Sequence, residues 1–296
     1  MTRRTHIDRR ALFATGAAAA LLAATGVSAG PAPAQGGRLR MALSGATRED
    51  RLGQAGTQGL FMQVATAGVL FDTLTEIAAD GTLRGELAVS WRSNTDATRW
   101  EFDLRDAVTF HDGRPFTACD VRASFEVLRD SVLADVASVE VTGPLRVAVS
   151  LRAGDPQFPM RVSHPQTIIL PEADVANPEV GIGTGLYRVH KFQPGRHLVA
   201  HRVAGHYKDG RAGWFDSVEL VSLPADEVRA EALRDHYVDA VDLEHPADLG
   251  DLENITLLPR EDFMTTAVDQ CLALPATVGS RWPLDNLRAA ERWWMA

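Results

Sequence analysis

Val108-Thr109-Phe110-His111-Asp112-Gly113-Arg114-Pro115-Phe116-Thr117-Ala118 stands between two segments of different periodicity. Ahead of it, Trp100-Glu101-Phe102-Asp103-Leu104 alternates apolar and polar residues, the pattern of a half-buried strand. Behind it, Val121, Phe125, Leu128 and Val132 recur at helical spacing. Thr117 followed by Asp120 supplies a reciprocal cap, so a helix is expected from there to about Leu133. His111-Asp112-Gly113 turns the chain between the two, and Trp91, Trp100 and Phe110 are expected to pack as the core of this unit.

Outward from that block, residues 136–141 and 145–151 read as a hairpin through Gly143-Pro144. A second hairpin joins residues 187–193 to 197–203 through Pro194-Gly195, after the flexible Gly181-Ile182-Gly183-Thr184-Gly185. Residues 38–43, 214–223 and 240–243 read as strands and 58–70 as a helix, with Asp226 expected to cap another helix through Arg234. Strands and helices neither alternate strictly nor segregate, which gives an α/β class with antiparallel additions.

At 296 residues, 45% hydrophobic and 23% charged, the chain has material for about two domains or one large one. Its only apolar run near spanning length lies at the extreme N-terminus, which excludes a channel or transporter. Net charge is −9, and residues 1–34 hold four Arg against one Asp, leaving the rest at −12, a poor surface for nucleic acid. Two cysteines, Cys119 and Cys271, exclude a disulfide scaffold and a Cys-based zinc site, and both are expected to be free. Asp8-Arg9-Arg10-Ala11-Leu12-Phe13, the weakly apolar 11–29 and an Ala-x-Ala site before Gln35 resemble a twin-arginine export signal over 1–34, so a periplasmic location is expected.

Gly85-Glu86-Leu87-Ala88-Val89-Ser90-Trp91, Trp100 to Arg105 and Val108 to Ala118 together resemble the signature block of family 5 extracellular solute-binding proteins. These are the dipeptide-, oligopeptide- and nickel-type receptors of ABC importers. Gly183-Thr184-Gly185-Leu186-Tyr187, Pro194-Gly195, His206-Tyr207 and Tyr237-Val238-Asp239-Ala240-Val241-Asp242 keep the family's order, so the resemblance runs over roughly 36–296. It implies a class II periplasmic binding-protein fold, a mixed sheet with helices and added β-hairpins, and a non-catalytic role with ABC permease subunits as partners. The ligand would be a peptide or another small polar solute, with no cofactor. Members of the family are normally much longer. Residues 35–265 therefore correspond to the first lobe, and 266–296, with Pro283-Leu284-Asp285-Asn286-Leu287-Arg288, to a crossover and first helix of the second. Such a chain is expected to bind solute weakly, with Trp282, Trp293 and Trp294 at an uncovered end, or else to have lost its ligand and serve as an interaction protein or remnant.

By position, the family's ligand loops correspond to Ser44 and Gly45 after the first strand, and to Gly183 and Thr184 before the Gly-Thr-Gly-x-Tyr strand. Period-two geometry about a two-residue Pro194-Gly195 turn sets Phe192 opposite His197, His190 opposite Val199 and Arg188 opposite His201. His190, His197 and His201 then share a face and form a metal-binding alternative, which the neighbouring Arg188 disfavours. His111-Asp112 could be read as a catalytic pair, but the resemblance implies a structural turn. No Gly-x-Ser-x-Gly, His-Glu-x-x-His or phosphate-loop Lys motif supports an enzyme.

Overall fold

Strand β1 (Arg38–Leu43) lies in the middle of a seven-stranded mixed sheet. Its Leu39, Met41, Ala42 and Leu43 are fully buried, as expected of a strand covered on both faces. The computed structural model describes residues 36–53, 59–77, 82–177, 181–210, 212–249, 255–259 and 265–269. The export signal, Cys271, the helix expected near 283–290 and the tryptophans at 282, 293 and 294 lie outside the described residues.

After β1 the chain enters α1 (Leu60–Gln63), which continues as a π-helical turn Val64–Leu70. Every residue from Val64 to Leu70 is buried, so this apolar, small-residue segment is a core helix and not a surface one. A short hairpin, β2 (Thr75–Ile77) and β3 (Leu83–Gly85), leads into a second, four-stranded antiparallel sheet. That sheet has the order β4 (Ala88–Ser93), β5 (Arg99–Leu104), β7 (Arg146–Leu151), β6 (Val136–Gly143). Its apolar face packs on α2 (Ala118–Leu128) and α3 (Phe158–Arg161) around Phe102, Phe125 and Phe158.

The expected capping box is present: Thr117 Oγ1 accepts from Cys119 N, and Asp120 Oδ2 accepts from Thr117 N at 2.7 Å. The helix stops at Leu128, five residues short of expectation. Ser131 N and Leu133 N both donate to the Leu128 carbonyl, so Asp130-Ser131 turns the chain while Leu133 still reaches the core.

The chain then returns to the larger sheet as β8 (Tyr187–Gln193), β9 (His197–Arg202), β10 (Ser217–Ser222), α4 (Asp226–Arg234), β11 (Ala240–Leu243), β12 (Ile255–Pro259) and β13 (Thr265–Asp269). The order is β12-β13-β11-β1-β10-β9-β8, with β10 and β11 parallel to β1 on either side and the outer pairs antiparallel. Strand β13 straddles the lobe boundary drawn at residue 265.

The β8–β9 register differs from expectation. Gln193, not Phe192, faces His197, because the turn takes three residues and Arg196 N closes on the Gln193 carbonyl at 3.0 Å. A bulge at His190 restores the frame, so Arg188 faces His201 as expected.

A buried ionic joint ties the connection after β9 to β2 and to the turn between β3 and β4. Lys208 Nζ pairs with Glu76 and, at 3.1 Å, with Glu86, whose other oxygen accepts from Thr73 N at 2.9 Å.

Candidate functional site

Three parallel strands, β10, β1 and β11, end along one edge, and the chain leaves β1 there between its two parallel neighbours. In open α/β sheets this is where ligands bind. Ser44 and Gly45 occupy that point. Ser44 N donates to Asp242 Oδ1 at 2.9 Å and its hydroxyl donates to Asp242 Oδ2, so the hydroxyl's lone pairs remain to accept from a ligand. Gly45 has φ +79°, and a methyl group on Gly59 would sit 1.7 Å from the Gly45 carbonyl oxygen. Two backbones therefore touch here, and glycine at both positions is what permits it.

Asp242 and Arg229 hold this edge together. Asp242 is wholly buried and Arg229 is 2% exposed. The Arg229 guanidinium donates to the carbonyls of Asp242 at 2.6 Å, Leu223 at 2.6 Å and Pro224 at 2.8 Å, and to Asp226 Oδ1 at 2.7 Å. One side chain thereby joins the ends of β10 and β11. Asp226 is not the helix cap, which is Ala225; its carboxylate instead accepts from Glu244 N and His245 N, both at 3.0 Å. Sequence reasoning missed this clamp, although an Asp within the otherwise apolar Ala240-Val241-Asp242-Leu243 was a visible signal.

Gly183 and Thr184 lie elsewhere. Ser44 O accepts from Phe61 N at the start of α1, whereas Gly185 N donates to Leu70 O at the end of the π-helical turn, so roughly 12–15 Å of helix separates the two pairs. A methyl on Gly183 would sit 2.0 Å from the Leu70 carbonyl oxygen. His111 holds this loop from the other sheet: its Nε2 bonds Gly185 O at 2.9 Å and its Nδ1 accepts from Gly183 N at 3.3 Å. Its role is positional, and Asp112 turns away to Arg114, so no His-Asp dyad forms.

Burial pushes the His111 pKa down. The neutral ring is then favoured by folding, a contribution complete above the ordinary histidine value of about 6.5 and lost as pH falls from there toward the lower folded value. The unfolding midpoint of the protein is expected to decline below about pH 6.5, and His111→Gln to flatten that part of the profile. Parallel profiles for the two proteins would contradict this role.

His190 and His201 have ring centroids 4.8 Å apart, but His197 bonds Glu219 at 2.8 Å instead of joining them. Among the described residues, no group of three or more His, Cys, Asp or Glu is placed to hold a metal ion. Cys119 is a free thiol in the first turn of α2.

Residues 82–275, more than half of the chain, match the family described as bacterial extracellular solute-binding proteins, family 5 middle. The glutathione-binding protein GsiB of Escherichia coli is 22% identical over 301 residues, covering 96% of this chain and 55% of GsiB. The HTH-type transcriptional regulator SgrR of Photorhabdus laumondii is 31% identical over 127 residues, 41% of this chain and 23% of SgrR. Among solved structures, AgaA from A. tumefaciens R10 in complex with agropinic acid superposes with TM-score 0.67 at 26% identity, over 76% of this chain and 48% of AgaA. The oligopeptide-binding protein AppA from Bacillus subtilis, in complex with a nonapeptide, gives 0.65 at 20% identity, over 76% and 48%. The chain thus spans about half the length of GsiB, AgaA and AppA. The class II periplasmic binding-protein fold expected from the sequence is the one these structures share.

Proposed function

Because the chain belongs to the family 5 bacterial extracellular solute-binding proteins, a family of binding proteins, we propose that it is the non-catalytic solute receptor of an ABC-type importer, taking peptides or similar polar solutes. Residues 35–265 act as its first lobe, and 266–296 correspond to the crossover and first helix of the second. The observation that carries the reading is the Ser44–Gly45 loop, set where β1 ends between two parallel neighbours and braced by the buried Asp242. A hydroxyl acceptor beside exposed backbone suits the N–H and carbonyl groups of a peptide, and Gly183 and Thr184, a helix length of roughly 12–15 Å away, would meet the same ligand only if it were an extended oligopeptide.

Calorimetric titration with di- and oligopeptides and glutathione tests this. At least one is expected to bind, and Ser44→Ala to weaken it up to about tenfold, the worth of one hydrogen bond. Absence of binding across the panel, or unchanged affinity in Ser44→Ala, would overturn the proposal. Residues 1–34 direct export through the twin-arginine pathway to the periplasm, a reading supported by the Arg9-Arg10 pair. Lysine at both positions should leave the protein in the cytoplasm, and normal periplasmic recovery of that variant would refute it.

A further inference from the structure

A cavity of about 480 Å³ opens at the opposite edge of the large sheet, where β8 begins and β9 ends. One wall is the His111 turn of the four-stranded unit, and the other is Thr184, Gly185, Arg188 and the segment from Arg202 to Tyr207. The six residues of β1 separate this edge from Ser44, roughly 20 Å. It is therefore not the solute site proposed above.

Its chemistry is one-sided. Arg188 and Arg202 line the cavity and, among the described residues, no Asp or Glu does, in a chain whose net charge is −9. A cationic concavity in an acidic protein focuses its field on small anions. The ring nitrogens of the two histidines serve the backbone, His111 at Gly183 and Gly185, His206 at the Thr184 carbonyl at 2.9 Å and Lys208 N at 3.1 Å, with the buried Asp72 carboxylate 3.9 Å from His206 Nε2.

Two groups in the lining residues are left over. Arg202 Nη2 is taken by Asp209 at 2.5 Å, but its Nε is buried with no hydrogen-bond partner. Thr184, 1% exposed, has a buried hydroxyl with none either. An unsatisfied buried donor is costly, and both groups belong to residues that line the cavity. Arg188 is exposed at the mouth and pairs with no carboxylate among the described residues.

We propose that this cavity is a second binding site, for a small organic oxyanion carrying a carboxylate or phosphate group. The volume exceeds what a bare inorganic ion fills and falls within the range of small-molecule pockets.

Titration of the purified protein with succinate, glucose 6-phosphate, inorganic phosphate and neutral glucose, at matched ionic strength, tests it. At least one of the two organic anions is expected to bind more tightly than inorganic phosphate or glucose, which also tells carboxylate from phosphate. Arg188→Gln should weaken that binding about tenfold or more, the loss of one charged contact. Arg202→Gln should do the same, with its unfolding midpoint measured alongside because the Asp209 pair is lost as well. Peptide affinity, read in the same samples, should not change in Arg188→Gln, so failure of the peptide reading and failure of this one remain separate results. Failure of both organic anions to bind, equal binding of glucose, or unchanged affinity in Arg188→Gln would overturn the assignment.

Discussion

Asp242→Ala is expected to destabilise the protein by about 3–5 kcal/mol, the cost of stranding one partner of a buried ion pair. Arg229 lies 3.5 Å from the Asp242 carboxylate by its Nε and is itself almost wholly buried. Without Asp242 it keeps its backbone carbonyls and Asp226 but loses a buried counter-charge, while Ser44 N and Oγ lose their common acceptor. Asp242→Asn, which keeps an acceptor oxygen in the same place, should cost clearly less. Urea unfolding of both variants measures the difference. Adding Arg229→Met to Asp242→Ala should recover part of the loss, since it removes the cation left without its buried counter-charge, and the recovery stays partial because Asp226 and the Leu223 and Pro224 carbonyls lose their donor. A loss below about 1 kcal/mol in Asp242→Ala would mean that the edge is held by the backbone ladder alone.

The same residues explain what could be read in the sequence. Local signals were legible wherever one element decided the outcome: Thr117 and Asp120 fix the start of α2, and the alternation at Trp100–Leu104 fixes β5. The family resemblance supplied the architecture, because the parallel pairing of β1 with β10 joins residues nearly 180 positions apart and leaves no trace in local periodicity. The placement of the candidate site residues was legible only in part. Ser44 and Gly45 stand at the strand end where position alone puts them, but their separation from Gly183 and Thr184 follows from the combined length of α1 and its π-helical continuation, and becomes visible only when both ends are placed. The three histidines do not come together because His197 bonds Glu219 of β10, a partner that the strand pattern does not announce. A third residue in the Pro194-Gly195-Arg196 turn moved the register by one, and the bulge at His190 absorbed the step. Buried charges were the hardest to foresee. Lys208, Glu76 and Glu86 come from three separate segments, and nothing near any one of them announces the others.

Trp100→Ala should cost about 3–5 kcal/mol, because it empties the aromatic side of the four-stranded sheet. Trp100 is 7% exposed on β5, opposite Ser93 of β4 and Val149 of β7, with its ring centroid 6.5 Å from that of Phe158. Phe158 also meets Phe102 edge-on at 6.2 Å, so the indole is one side of a three-ring packing under the sheet. Its Nε1 donates to the Asp155 carbonyl at 3.2 Å, which fastens the loop before α3 to the strand. Alanine would remove the ring and the donor together and leave a cavity that Phe158, itself wholly buried, cannot fill without leaving Phe102. Trp100→Phe keeps most of the packing and loses only the hydrogen bond, so about 1–2 kcal/mol is expected of it. On the opposite face of the same sheet, Arg92 bridges Glu101 and Asp103 in solvent, and Arg92→Ala should change the unfolding free energy by no more than about 1 kcal/mol. Chemical unfolding of the three variants ranks these effects. Equal losses for Trp100→Ala and Arg92→Ala would show that the aromatic face of this sheet is not where its stability resides.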